Sequence, residues 1–125
     1  MSVKILVVDD SSLARRRLRQ LLEEMHHTVE EASDGAQALE RFYLQRHDVV
    51  VLDMVMSGMY GLEVLEKMRT IDPEVRVIIV TADIQRSTAR QVKEAGAKAI
   101  LNKPVNRDAL VGVLDLVLQG RHVGN

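Results

Sequence analysis

An unbroken apolar run at residues 49–52, which leads directly into the carboxylate of Asp53, constrains this chain more than any other feature. Three of its four residues are β-branched valines. Such a run is typical of a strand buried on both faces, as in a parallel sheet covered by helices. A similar run at residues 4–8 ends in Asp9 and Asp10. Because open α/β sheets bind ligands at the carboxyl ends of their strands, these three acids are the first candidates for a functional site.

Strand-like and helix-like segments alternate along the whole chain. Beyond the two runs above, further strands are expected at residues 28–32, 75–80 and 99–101. Helices are expected over about 13–25, from the turn at 33–35 to about 45, and over 62–71, 84–95 and 106–119. Five strands alternating with five helices predict right-handed βαβ crossovers and a parallel sheet. This fold class, α/β, gathers at one edge the residues that follow the strands, namely Asp9, Asp10, Asp53, Thr81 and Lys103.

The length and composition predict a single domain. A chain of 125 residues suits one core, expected over about residues 3–119, with a small polar tail at 120–125. Aromatic residues make up only 2% of the chain, so the interior must be aliphatic and the stacking platforms that bind single-stranded nucleic acid are missing.

The charge balance also argues against nucleic acid and anionic membranes as partners. Seventeen basic and 18 acidic residues give a formal net charge of −1. The chain has no cysteine, which excludes disulfides and thiolate metal sites. Its N-terminal apolar run is too short for a signal peptide or a membrane span, so we expect a cytoplasmic protein.

The residue types at the strand ends suit phosphoryl chemistry. Three carboxylates with no cation raise one another's pKa, and oxygen ligands of this kind favour Mg²⁺. Lys103 offers a compact positive charge to a phosphate, and Thr81 offers a hydroxyl. A carboxylate such as Asp53, beside a cation, a lysine and a hydroxyl, is equipped to accept a phosphoryl group.

Four short segments at the strand ends resemble the receiver domain of two-component response regulators, and the likeness extends over about residues 3–119. They are Val8-Asp9-Asp10, Leu52-Asp53-Met54-Val55-Met56, Val80-Thr81-Ala82 and Asn102-Lys103-Pro104. The resemblance implies a doubly wound, flavodoxin-like parallel sheet of strand order 2-1-3-4-5 with five helices. It also implies a signalling switch that assists only its own phosphorylation and dephosphorylation, rather than an enzyme.

The resemblance further implies a role for each site residue. Asp53 would accept the phosphoryl group from a histidine kinase or a phosphotransfer protein. Asp10, Asp53 and the main-chain carbonyl of Val55 would hold Mg²⁺, with Asp9 bound through water.

Two residues on the other side of the site also acquire roles from the resemblance. Lys103 would pair with the phosphoryl oxygens, and Thr81 would swing inward to bond one of them. The Lys103–Pro104 peptide bond would be cis, which costs little at an X-Pro bond.

Four positions depart from the family pattern. Ser57 stands where proline is usual, and Tyr60 where a helix-capping residue is usual. Ile100 stands where an aromatic ring often reports phosphorylation to partners, and Val105 where phenylalanine is common.

The last helix has an unusually wide apolar arc, with Leu116 outside it. This arc indicates either a generous core with one exposed leucine, or a homodimer or effector face within residues 84–119.

Arg15–Arg17 on the first helix is expected to form a solvated face, with a contact to a kinase as the alternative. The histidines at positions 26, 27, 47 and 122 have no metal-ligand spacing, and no role is assigned to them.

Rival functions remain for a chain of this kind. A Mg²⁺-dependent phosphatase with an aspartate nucleophile would carry a second acid two residues after Asp53, where this chain has Val55. A flavin-binding module would need a phosphate-cradling loop after the first strand, where Asp9 and Asp10 would repel a phosphate. A receiver that never takes up phosphate is the third alternative.

Overall fold

The computed structural model describes residues 2–56, 58–82 and 86–123, without the side chains of 86, 87 and 120–123. Strands and helices alternate as the sequence predicts. The elements are β1 (Lys4–Val8), α1 (Ser12–Glu24), β2 (Thr28–Ala32), α2 (Gly35–Gln45), β3 (Val49–Asp53), α3 (Gly61–Ile71), β4 (Val77–Thr81), α4 (Arg86–Glu94), β5 (Ala99–Asn102) and α5 (Arg107–Val123). The expected start of α4 at residues 84 and 85 lies outside the described residues.

All five strands pair in parallel in the order β2-β1-β3-β4-β5, which confirms the predicted fold class and strand order. Every residue of β3 and β4 is buried, since helices cover both faces of the sheet there. One face packs against α1 and α5 through side chains such as Leu22 and Leu110. The other face packs against α2, α3 and α4 through Phe42, Leu65 and Val92.

Side-chain caps fix where two of the helices begin. The Ser11 hydroxyl accepts a hydrogen bond from the N–H of Ala14 at 3.2 Å, so α1 begins at Ser12. Asp34 caps α2 in the same way through Gln37 at 2.8 Å. Tyr60 stands at the corresponding position of α3 and makes no capping bond with its side chain, as its residue type predicts.

The expectation that Arg15–Arg17 forms a solvated face is wrong for Arg15. Its side chain is only 17% exposed and forms an ion pair with Glu31 at 3.0 Å. Arg17 is an exposed residue, yet its guanidinium donates to the main-chain carbonyl of Val105 at 2.8 Å. Arg16 is exposed, as expected.

The apolar arc of α5 faces the core in part. Leu110, Leu114 and Val117 are buried, whereas Leu116 is 71% exposed, as its position outside the arc predicts. Within the described ranges, no helix combines the length and apolarity that crossing a membrane requires.

Candidate functional site

The carboxyl edge of the sheet brings together the side chains that the sequence singled out. β3 ends at Asp53 and β4 at Thr81, and Asp9 and Lys103 directly follow β1 and β5. Because all the strands run in parallel, these four residues leave the sheet on the same edge. Asp10 lies one residue farther along the same loop as Asp9.

Three carboxylates form a compact acidic cluster at this edge. Asp9, Asp10 and Asp53 each contribute an oxygen, and these oxygens lie within 4.8 Å of one another. Asp9 and Asp53 are buried, with 1% and 6% exposure, while Asp10 is open to solvent. A partly solvated set of oxygen donors is the ligand environment that Mg²⁺ prefers in proteins.

The electrostatics of Asp53 also fit a site for a cation. Burial raises the pKa of Asp53, and the negative charge of Asp9 raises it further. Lys103 and the backbone N–H of Val55 act in the opposite direction, but they do not cancel the increase. The surrounding groups therefore do not fully stabilise the ionised form of Asp53, and a bound divalent cation would stabilise it.

Lys103 lies between the two buried acids. Its Nζ atom is 2.7 Å from Asp9 Oδ2 and 3.4 Å from Asp53 Oδ1. Burial opposes the charge of Lys103, but the hydrogen bonds and charges of the two carboxylates outweigh burial and raise its pKa. Lys103 is therefore a fixed positive charge beside Asp53, with a side chain that remains 26% exposed.

Thr81 and the loop after β5 complete the edge. Thr81 is buried, and its main-chain carbonyl accepts a hydrogen bond from the N–H of Lys103 at 2.9 Å. The Lys103–Pro104 peptide bond is cis, as the family resemblance implies. The backbones of Thr81 and Lys103 are therefore joined directly at this edge.

Several hydrogen bonds hold Asp9 in place at this edge. Its N–H donates to the carbonyl of Ala32 at 3.2 Å, and its own carbonyl accepts from Arg15 at 2.6 Å. Its carboxylate accepts from the N–H of Ser11 at 2.9 Å and from Lys103. Arg15 was not among the predicted site residues, although its position three and seven residues before Leu18 and Leu22 places it beside the buried face of α1.

Gly61 is a second residue that the sequence prediction missed. A Cβ atom at this position would lie 2.6 Å from the main-chain oxygen of Asp53 and 2.9 Å from the Cα atom of Met54. The first residue of α3 therefore rests on the backbone at the end of β3. The N–H of Gly61 strengthens this contact by donating to the carbonyl of Met54 at 2.8 Å.

Comparison with known proteins agrees with this arrangement. The family model of the response regulator receiver domain matches residues 5–115. The chain belongs to the response regulator receiver domain family. This is a family of two-component signalling domains rather than a class of classical enzymes.

Individual relatives cover most of the chain. Sporulation initiation phosphotransferase F of Bacillus subtilis is 37% identical over 110 residues, which make up 88% of this chain and 89% of that protein. Response regulator MprA of Mycobacterium ulcerans is 37% identical over 119 residues, or 95% of this chain, but the match spans only 51% of MprA. The crystal structure of a CheY-like receiver domain protein from Methanospirillum hungatei superimposes with a TM-score of 0.93 at 26% identity and covers 100% of both chains.

The departures from the receiver pattern occupy different environments in this domain. Val105 is buried and Ile100 is half-buried, so aliphatic side chains fill both places. Tyr60 is 67% exposed. Val55, which is a predicted metal ligand through its main chain and not a departure, has a side chain that is 63% exposed. Ser57 lies outside the described residues.

Proposed function

We propose that this receiver domain is a phosphoacceptor switch of a two-component system, with Asp53 as the residue that takes the phosphoryl group. The single observation that carries the proposal is the position of Lys103, which contacts both Asp9 and Asp53 within the cluster of three carboxylates. This arrangement combines a nucleophilic oxygen, a fixed positive charge and ligands for a hard cation.

Asp10, Asp53 and the main-chain carbonyl of Val55 would hold Mg²⁺, with Asp9 bound through water. The acidic cluster and the raised pKa of Asp53 support this assignment. When bound, the ion supplies positive charge to the oxygens of the transferring phosphoryl group.

The protein's own groups have complementary tasks in the transfer. A carboxylate oxygen of Asp53 attacks the phosphorus of a phosphohistidine, the P–N bond breaks, and the histidine nitrogen keeps the electron pair. An ionised Asp53 needs no general base for this attack. Lys103 exchanges part of its contact with the carboxylates for the new phosphoryl oxygens, and the Thr81 hydroxyl donates a hydrogen bond to one of them.

The donor would be a histidine kinase or a phosphotransfer protein. Within residues 1–125, taken as one receiver domain, the output would be a change in the surface formed by residues 84–119. The phosphoryl group would bias a two-state element there and so alter contacts with an effector or with a second copy of the domain. The same site would assist the later hydrolysis that resets the switch.

Intact-mass spectrometry after incubation with acetyl phosphate tests the proposal. The wild-type protein should gain one phosphoryl group only when Mg²⁺ is present, and Asp53→Asn should gain none. Asp34→Asn is a matched control, because it alters another acid that follows a strand and retains a side chain able to cap α2. A gain that persists in Asp53→Asn, or no gain by the wild type from either acetyl phosphate or a phosphohistidine donor, would contradict the proposal.

A further inference from the structure

Arg15 connects the acidic cluster to the edge strand β2. Its Nη1 atom donates to the main-chain oxygen of Asp9 at 2.6 Å, and its Nε atom donates to Glu31 at 3.0 Å. With 17% exposure, the side chain is largely removed from solvent. One guanidinium therefore ties the backbone of a proposed site residue to a carboxylate on β2.

We propose that Arg15 is a positioning residue of the acidic site. By holding the main chain of Asp9 against Glu31, it fixes the Asp9 carboxylate relative to Asp53 and Lys103 and so sets the affinity of the site for a divalent cation. The proposal deepens the proposed function and rests on its assignment of the metal site, but its main readouts do not require phosphorylation.

A positioning role and a simple charge effect predict opposite results. If Arg15 acted mainly as a positive charge near three carboxylates, its removal would strengthen cation binding. If it acts by positioning, its removal loosens Asp9 and weakens binding. Groups that orient metal ligands from outside the coordination shell typically change affinity by about 10-fold to 100-fold when they are removed.

The geometry explains why the residue is arginine. Its fork presents two N–H groups in a fixed plane, one toward the carbonyl of Asp9 and one toward Glu31. A lysine at position 15 would keep the charge, but its single ammonium group cannot reproduce this planar fork. Arg15→Lys should therefore recover only part of the cation affinity.

Arg19 provides a matched control on the same helix. It bonds the other carboxylate oxygen of Glu31 at 2.8 Å and also bonds Glu23 at 3.1 Å. Within the part of the chain that the structure describes, Arg19 makes no hydrogen bond to Asp9. Arg19→Met therefore removes one positive charge and one bond to Glu31 while leaving the link to Asp9 intact.

The first readout is Mg²⁺ binding, measured by isothermal titration calorimetry. The dissociation constant of Arg15→Met should rise about 10-fold, with Arg15→Lys between this variant and the wild type. The dissociation constant of Arg19→Met should stay close to the wild-type value. Equal affinities for Arg15→Met and Arg19→Met, or tighter binding by Arg15→Met, would overturn the proposal.

The second readout needs no metal. The N–H of Ser11 donates to the Asp9 carboxylate, so its hydrogen exchange reports how firmly that carboxylate is held. The N–H of Gln37, which donates to Asp34, is the internal reference. Exchange at Ser11 should accelerate relative to Gln37 in Arg15→Met and remain unchanged in Arg19→Met.

The two readouts separate this proposal from a merely structural role. If thermal unfolding shifts equally in Arg15→Met and Arg19→Met while exchange at Ser11 and Mg²⁺ binding stay unchanged, Arg15 only stabilises the fold and the proposal is wrong. If the wild type binds Mg²⁺ and the variants behave as expected, but Asp53 takes no phosphoryl group, the proposed function fails and the role of Arg15 stands.

Discussion

β2 and β5 are the two edge strands of the sheet, and they are held in different ways. On β2, the Glu31 carboxylate accepts hydrogen bonds from Arg15 and Arg19, and Glu30 pairs with the ring of His47 at 2.6 Å. Polar side chains therefore tie two parts of the chain to this edge, namely α1, through two arginines, and the segment just before β3.

The opposite edge depends on apolar packing that is only partly complete. On β5, Ala99 and Ile100 are half-buried, and Leu101 is the buried member of the strand. Within residues 88–94 of α4, whose side chains are described, only Val92 is buried. Few buried apolar contacts mean a lower free energy of local opening.

The acidic site lies between these two edges. Asp9 and Asp10 follow β1, next to the firmly held strand, whereas Lys103 directly follows β5. A phosphoryl group that draws Thr81 and Lys103 toward Asp53 would therefore act on the side where movement costs less.

Leucine truncations test the difference in packing directly. Leu22 on α1 is 0% exposed, and Leu101 on β5 is 7% exposed. Leu22→Ala should lower the free energy of unfolding by about 3–5 kcal/mol, and Leu101→Ala by about 2 kcal/mol, as measured by urea denaturation. If Leu101→Ala lowers the free energy of unfolding by as much as Leu22→Ala or more, the two sides of the sheet do not differ in packing as described.

Gly61→Ala tests the close contact between α3 and the end of β3. A methyl group there would collide with the main chain of Asp53, so we expect a loss of about 1–3 kcal/mol in urea unfolding and slower phosphorylation by acetyl phosphate. Gly112→Ala is the control, because a Cβ at this exposed position in α5 would meet nothing within 4 Å. That substitution should stabilise the protein by about 0.5–1 kcal/mol. Stability unchanged in Gly61→Ala would disprove the contact.

Tyr60→Asp should restore the cap that α3 lacks. Tyr60 already has the extended backbone of an N-cap residue, and its exposed side chain makes no capping bond. The aspartate variant should be about 1 kcal/mol more stable than wild type in urea unfolding at neutral pH. Tyr60→Ala separates the new cap from the loss of the ring, and equal stability of the two variants would show that no cap forms.

The pH dependence of stability should be the smallest of these effects, and it should have opposite signs at Glu31 and Asp53. The hydrogen bond with Arg19, assisted by the one with Arg15, lowers the pKa of Glu31 against the effect of burial. The stabilisation by Glu31 is therefore present at neutral pH and is lost as the pH falls through its folded-state pKa. Because this network is partly exposed, we expect it to contribute less than about 1 kcal/mol.

Asp53 should behave in the opposite way in the metal-free protein. Burial and Asp9 raise its pKa, so its ionised form costs stability at neutral pH, and this cost disappears as the pH falls through the folded-state pKa. Urea unfolding of Glu31→Gln and Asp53→Asn at neutral and acidic pH checks both signs. Glu31→Gln should be less stable than wild type and Asp53→Asn more stable, with both differences shrinking toward acid. If the stability difference between a variant and the wild type grew as the pH fell, the direction of the pKa shift stated for that carboxylate would be wrong.

Much of the fold could be predicted because β3 and β4 are unbroken apolar runs that each end in a polar residue, and β1 is a similar run that leads into Asp9. The start of β4 could not, since Val75 is apolar and buried but its N–H bonds to Asp72 in a turn, and the strand begins only at Val77. The start of α5 is set by Asn106, whose side chain accepts a hydrogen bond from the N–H of Ala109 at 3.1 Å. The prediction that this helix ends at residue 119 is wrong, since the helix extends to Val123, the last residue that the structure describes.

The candidate site was predictable to the extent that it follows from parallel strands. That rule brought Asp9, Asp53 and Lys103 to one edge, where the structure also has them. The same rule could not identify Arg15 or Gly61, because their contacts join elements that are remote from each other in sequence. Helical periodicity does distinguish Arg15, which stands three and seven residues before the buried Leu18 and Leu22, but it does not show which groups the side chain reaches.

We propose that a phosphoryl group on Asp53 acts through the edge of the sheet formed by β5 and α4. Residue-resolved amide hydrogen exchange, measured with acetyl phosphate and Mg²⁺ and compared with the unphosphorylated protein, tests it most directly. Exchange should change in β5, α4 and the first turn of α5, stay constant in β2 and α1, and change nowhere in Asp53→Asn. Changes of equal size in β2 and β5, or the same changes in Asp53→Asn, would contradict it.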